Sequence, residues 1–156
     1  MKLFACPACG ATVFFRNSAC GACGAALTFD AAAQGFEALA RPCANRAEIG
    51  CNWAAAAPGP LCPSCAMTAV IPDAFHADNR TLWAEAESAK RWVLATLRRW
   101  GWFGAEDPGP RPEFHLLSER TPTGAAPVLT GHAAGVVTLN VVEGDPAELV
   151  RRREAL

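Results

Sequence analysis

Short apolar runs set between glycines and polar turns fill the start of this chain: Leu3-Phe4, Thr12-Val13-Phe14-Phe15 and Leu27-Thr28-Phe29. Runs of two to four residues predict brief strands. Residues 30 to 42 show no sustained period and read as a connector with one ordered stretch around Phe36 and Leu39. Ile71-Pro72-Asp73 stops any regular element before it. From Asn79 the period becomes helical. Leu82, Ala86, Ala89, Val93, Leu97 and Trp100 step by four and three, predicting a long helix buried along that stripe. Asp78 or Asn79 supplies the N-cap, Gly101 the C-cap, and Trp83 and Trp92 widen the buried face. Glu87 and Lys90 stand at i, i+3, while Arg98 and Arg99 complement the C-terminal dipole.

Past a Pro/Gly loop at 104–112, Phe114 to Leu117 reads as a strand and Glu119 to Pro127 as a turn-rich link. A hairpin-like unit follows. Its second strand, Val136 to Val142, sets Val137, Leu139 and Val141 against Thr138 and Asn140, predicting one buried and one polar face. Asp145-Pro146-Ala147-Glu148 then supplies an N-cap, an N1 proline and a capping-box acid for a helix running through Arg151, Arg152 and Arg153. No stop signal ends that helix, so the expectation is a truncated sequence that continues.

Cysteine placement changes the picture of the front. All eight cysteines lie within the first 65 residues, as Cys6-x2-Cys9-x10-Cys20-x2-Cys23 and Cys43-x7-Cys51-x10-Cys62-x2-Cys65. Each set has the count and clustering of a tetrahedral four-thiolate metal site. Glycine follows both knuckles of the first set, Gly10 and Gly24, where a positive φ turns backbone N–H groups toward the sulfurs. Zinc is the expected ion, two per chain, with iron in a rubredoxin-like centre as the alternative that all-sulfur geometry does not separate. Four protein ligands leave no open position, so both sites are structural. In the second set, Asn45 and Asn52 are placed to stabilise turns beside ligands, and Trp53 either caps the site or packs into a small core.

The fold class is therefore α+β: a small metal-stapled zinc-ribbon region with two four-cysteine sites, then an α+β region with one long helix and a short antiparallel sheet. The expected domains are a zinc ribbon at 1–30, a second four-cysteine module at 31–72 and an α+β region at 73–156. The chain is 51% hydrophobic, but alanine inflates that figure and no stretch reaches the roughly 20 apolar residues of a membrane span. An extended apolar run before a small-residue cleavage site is missing at the start, so the expected location is the cytoplasm. Lys2, Arg16, Arg41 and Arg46 nearly balance Asp30, Glu37 and Glu48 in the cysteine region, arguing against nucleic acid as a partner.

The chain resembles the zinc-binding metallopeptidase family whose members start with a zinc ribbon. The residues carrying the resemblance are the two Cys-x-x-Cys-Gly knuckles, Phe14-Phe15, Cys43-Ala44-Asn45, Cys51-Asn52-Trp53, Cys62-x2-Cys65 and Ile71-Pro72-Asp73. They continue with Asn79, Trp83, Glu87, Lys90-Arg91, Thr130-Gly131-His132, Gly135, Leu139-Asn140 and Glu143. The resemblance implies a further helix with His-Glu-x-x-His, whose histidines hold a third, catalytic zinc and whose glutamate activates its water. His76, His115 and His132 form no such pattern, so no catalytic residue is expected in this chain. The resemblance also implies a peptide or protein substrate, with residues 136–142 as a sheet edge that pairs with it and His132 beside the cleft or in a loop without duty. A non-enzymatic zinc-ribbon adaptor binding a protein partner is the competing reading.

Overall fold

The structure, a computed structural model, describes residues 2–154. In chain order its elements are β1 (Phe4–Ala5), β2 (Thr12–Val13), β3 (Leu27–Asp30), β4 (Gly35–Ala38), α1 (Arg46–Ile49), β5 (Thr68–Val70) and α2 (Ala77–Arg99). Then follow β6 (Glu113–Leu117), β7 (Arg120–Thr121), β8 (Gly124–Ala125), β9 (Gly131–Ala133), β10 (Val136–Asn140) and α3 (Pro146–Glu154). The α+β class stands. No helix among the described residues is long and apolar enough to cross a membrane. The chain forms two compact units, one of residues up to Ala66 with Ser88–Gly109, the other of Met67–Glu87 with residues from Pro110 onward.

In the first unit, β1 pairs antiparallel with β2 and β3 with β4. The stretch read as a connector is half of that second hairpin. Phe36 lies opposite Phe29 across it and meets Phe4 and Phe29 edge-on at 5.4 and 5.5 Å. Arg41 closes the hairpin by pairing with Asp30 at 2.8 Å and Glu37 at 2.9 Å. The second cysteine module grips the first through backbone groups: Phe29 N–H donates to Asn52 O at 2.6 Å and Ala54 N–H to Phe29 O at 2.9 Å. The Asn52 amide donates to Phe15 O at 2.6 Å and Asn17 O at 3.1 Å, and Arg46 to Leu27 O and Ser18 O at 3.0 and 2.7 Å. Trp53, 1% exposed, packs against Phe29 at 5.9 Å, which decides for the small core.

In the second unit the four-stranded sheet has the order β5-β6-β10-β9. The expected short antiparallel pairing is present, and parallel pairs extend it. The β9–β10 hairpin is antiparallel, with Ala134 (φ 50) and Gly135 (φ 85) forming a two-residue turn, but β5–β6 and β6–β10 are parallel. A crossover containing α2 separates β5 from β6, and such long connections permit parallel neighbours. The sheet order corrects the expectation that residues 136–142 form an edge. β10 is flanked on both sides, and the edges are β5 and β9, the latter with His132. Strand structure ends at Asn140 because its side chain accepts from Val142 N–H at 3.2 Å and opens a tight turn at Val141–Gly144. Asn140, expected on an outward polar face, is buried and donates to Glu119 Oε2 at 2.9 Å.

The face of α2 is the main departure from the periodicity. Ala89, Val93 and Trp100 of the apolar stripe are exposed, as is Trp92, whereas Asn79, Trp83, Glu87, Lys90, Arg91, Leu94 and Ala95 are buried. Buried polar groups stay buried where they are bonded. The Asn79 amide donates to Asp73 O and Arg120 O, both at 2.9 Å, and accepts from Ser118 Oγ at 2.6 Å. Asn79 is thus a staple inside the first turn, while Gly101 (φ 90) ends the helix as expected.

At α3, Asp145 caps as predicted, accepting from Ala147 N–H at 3.0 Å. Glu148 does not close a capping box. It instead binds Arg151 and Arg152, and Arg152 reaches on to Glu119 at 2.9 Å and Glu143 at 3.2 Å. Thr130 Oγ1 donates to Glu143 Oε2 at 2.7 Å. Thr130, Asn140 and Glu143, three of the residues that carried the family resemblance, therefore belong to one polar network.

Candidate metal centres

Both cysteine sets converge. Within each, the four Sγ atoms lie within 4.8 Å of one another, and all eight cysteines are free of disulfides. The sulfur–sulfur distances are 3.8 Å for Cys6–Cys23 and 3.7 Å for Cys9–Cys20 in the first set. In the second they are 3.6 Å for Cys51–Cys62 and 3.7 Å for Cys51–Cys65. A tetrahedron with metal–sulfur bonds of about 2.3 Å has edges of about 3.8 Å, so the sulfurs already stand where zinc would hold them.

The first set is built twice from one local device. Cys6 N–H bonds Ala11 O at 2.8 Å and Gly10 N–H bonds Cys6 O at 2.9 Å; Cys20 to Ala25 and Gly24 to Cys20 repeat those bonds at the same lengths. Gly10 (φ 75) and Gly24 (φ 73) are required by backbone conformation, since an added Cβ at either would meet nothing within 4 Å. The turns aim N–H groups at sulfur, as in Ala8 N–H to Cys6 Sγ at 3.4 Å. Backbone N–H groups of Cys23 and Ala22 pull the Cys20 thiol down to about 6. At Cys9 the Ala11 backbone pulls down, but the sulfurs of Cys23 and Cys20, with burial, push the thiol up to about 12. Four sulfurs this close share protons, and a divalent cation at their centre would ionise all of them.

The second set is assembled from three segments. Cys43 precedes α1, Cys51 follows its Gly50 cap (φ 62), and Cys62 and Cys65 form a knuckle in which Cys65 N–H donates to Cys62 Sγ at 3.4 Å. Cys62 N–H also donates to Cys43 Sγ at 3.3 Å. All four cysteines are buried, whereas Cys9 and Cys23 of the first set are exposed. Zinc with four thiolates carries a net −2, costly to bury. The Cys43 sulfur pushes the Cys51 thiol up, but those of Cys62 and Cys65 pull it down against burial, and the charge of Arg91, 4% exposed on α2, adds to that pull. No helical periodicity would select Arg91 as an inward residue, and its role was not legible in the sequence.

Among the described residues, the groups of three or more Cys, His, Asp or Glu close enough to share an ion are these two sets. The histidines stand apart: His115 on β6 bonds Glu113 at 2.6 Å, and His132 lies exposed on β9.

Residues 3–42 match a zinc-ribbon domain, and residues 79–156 match the family described as "Putative zinc-binding metallo-peptidase". The chain belongs to this metallo-peptidase family. It is also 36% identical to uncharacterized proteins of Mycobacterium bovis and of two strains of Mycobacterium tuberculosis, over 93% of this chain and 44% of each relative. It thus spans less than half the length of the curated relatives it matches. No solved structure matches it significantly. Family membership and the two sulfur tetrahedra together support zinc binding. The matched family segment starts at Asn79, the buried staple of α2.

Proposed function

We infer that this chain is the structural zinc-binding N-terminal portion of a zinc-dependent peptidase. The observation that carries the reading is the order of parts: two closed four-sulfur centres, Cys6, Cys9, Cys20, Cys23 and Cys43, Cys51, Cys62, Cys65, precede a segment matching a metallo-peptidase family. Each set holds one zinc ion and no substrate, because its coordination shell is complete. Their work is to fold residues too few to bury a core of their own. Hydrolysis of peptide bonds belongs to the longer protein, where a His-Glu-x-x-His helix would supply a third, open zinc site and its water. Its substrate is a peptide or protein, and free thiols in these numbers suit the reducing cytoplasm.

Two measurements test this. Elemental analysis of the purified chain should give two zinc per molecule; iron, or one ion or none, would overturn the two-zinc assignment. The longest product of the gene, assayed on unfolded protein with and without a chelator, should cleave it only with metal, while this chain alone is inert. A gene product with no metal-dependent cleavage and no His-Glu-x-x-His would favour the adaptor reading.

A further inference from the structure

We propose that the centre of Cys6, Cys9, Cys20 and Cys23 is a redox switch: a hydroperoxide converts its four sulfurs to two disulfides and the ribbon opens, while the second centre keeps its ion. The inference rests on the reading of both sets as zinc sites. It starts from a division of exposure. Cys6 and Cys20 are 3% and 2% exposed, whereas Cys9 and Cys23, in the same tetrahedron, face solvent. No cysteine of the second set is more than 2% exposed.

Each outer sulfur has an inner one in reach. Cys23 Sγ stands 3.8 Å from Cys6 Sγ, and Cys9 Sγ stands 3.7 Å from Cys20 Sγ. Sulfurs committed to a metal are thiolates, and oxidation by peroxide follows thiolate character and exposure together. The Cys23 sulfur takes one oxygen as the O–O bond of hydrogen peroxide breaks, giving a sulfenic acid and hydroxide. The Cys6 sulfur then attacks the sulfenic sulfur, forms the S–S bond and expels a second hydroxide. Two protons turn both hydroxides into water, and the sulfur pair has lost two electrons to the peroxide. A second equivalent does the same at Cys9 and Cys20. The thiolate is the metal ligand, so a centre of two disulfides no longer holds an ion.

The consequence for the fold follows from where the inner sulfurs sit. Cys6 and Cys20 share a buried cluster with Val13 and Leu27, and Phe4 and Phe36 pack against it. The same atoms hold the ion and fill the core. Structural zinc is folding free energy, and β1 and β2 pair over only two residues each, so they open when the ion leaves. β3 is tied elsewhere, through Phe29 N–H to Asn52 O and Ala54 N–H to Phe29 O. Thiol reductants reopen such disulfides, which makes the step reversible.

The test uses the wild-type zinc-loaded chain, whose zinc is counted before any oxidant is added. Under hydrogen peroxide, an indicator too weak to strip either site should register one zinc released per chain. Remaining thiols are then alkylated with a light label, disulfides reduced and their sulfurs alkylated with a heavy one. The heavy label should fall on Cys6, Cys9, Cys20 and Cys23, with the first set oxidised at least about tenfold faster than the second. Exchange of the Val13 amide should rise while that of Phe29 stays slow, and dithiothreitol with zinc should restore the starting pattern. Equal oxidation of both sets, oxidation of the second set first, or sulfinic and sulfonic acids in place of disulfides would each overturn the proposal. So would retention of both ions while glutathione in the same tube is oxidised. A starting count below two zinc overturns the two-site reading and the switch together; a count of two followed by any of these outcomes overturns the switch alone.

Discussion

The two cysteine centres hold the same four donors at nearly the same separations, yet they are built in opposite ways. The first repeats one knuckle twice within eighteen residues, Cys6 to Cys23, and leaves Cys9 and Cys23 exposed. The second gathers Cys43, Cys51 and a single knuckle from separate segments and buries all four cysteines. Donor chemistry sets affinity for an ion, but burial and backbone support set how readily the ion is lost.

Metal removal should have the largest effect, because zinc affinity in such sites, about 10 to 16 kcal/mol, is folding free energy. After treatment with a strong chelator, the amides of β3 and β4 should exchange freely while those of β6 and β10 stay protected. Persisting protection in β3 would show that hydrophobic packing alone holds the first unit. The order of loss sharpens the comparison: a maleimide should label Cys9 and Cys23 before any cysteine of the second set. Labelling of Cys51 or Cys62 first would mean that the buried centre is the weaker one.

Smaller effects probe what joins the centres. Asn52→Ala removes the donor to two carbonyls of the ribbon, Phe15 O and Asn17 O, and should cost about 1 to 3 kcal/mol in denaturant unfolding. An unchanged midpoint would mean that the modules hold together without it. Gly24→Ala forces a side chain into φ 73 and should cost about 1 kcal/mol, with the zinc content retained.

The smallest effect lies away from both centres. Arg151 and Arg152 hold the Glu148 carboxyl down at about 2, below its ordinary 4.5. Its contribution is therefore complete above about pH 4.5 and lost as pH falls through 2. Glu148→Gln should expose α3 amides to faster exchange at pH 7, and the difference from wild type should vanish near pH 2. A difference constant with pH would remove the ion pairs as its cause.

Much of this was legible in the chain. Cys-x-x-Cys-Gly spacing fixes a knuckle locally, since the turn, its glycine φ and its N–H to sulfur bonds all lie within five residues. Asp145-Pro146 caps α3 for the same reason. Apolar periodicity failed at α2 because it assumes that inward positions are apolar. Here Asn79, Glu87, Lys90 and Arg91 are drawn inward, and Asn79 is satisfied by Asp73, Ser118 and Arg120, the last two 39 and 41 residues away. Val136 to Val142 reads as the second strand of a hairpin and Phe114 to Leu117 as a strand, but the parallel pairing of the two was not legible.

By itself, then, the sequence determined the grouping of the cysteines into two sets of four, the Gly101 stop of α2, the Asp145 cap of α3 and the alternation of elements, most of them products of short-range geometry. Tertiary structure alone decided which face of α2 is buried, which strand forms the sheet edge, and that Phe14 and Trp92 meet at one surface. Those outcomes depend on partners distant in the chain, and hydrogen bonding of buried polar groups can outweigh the apolar stripe that a local pattern reveals.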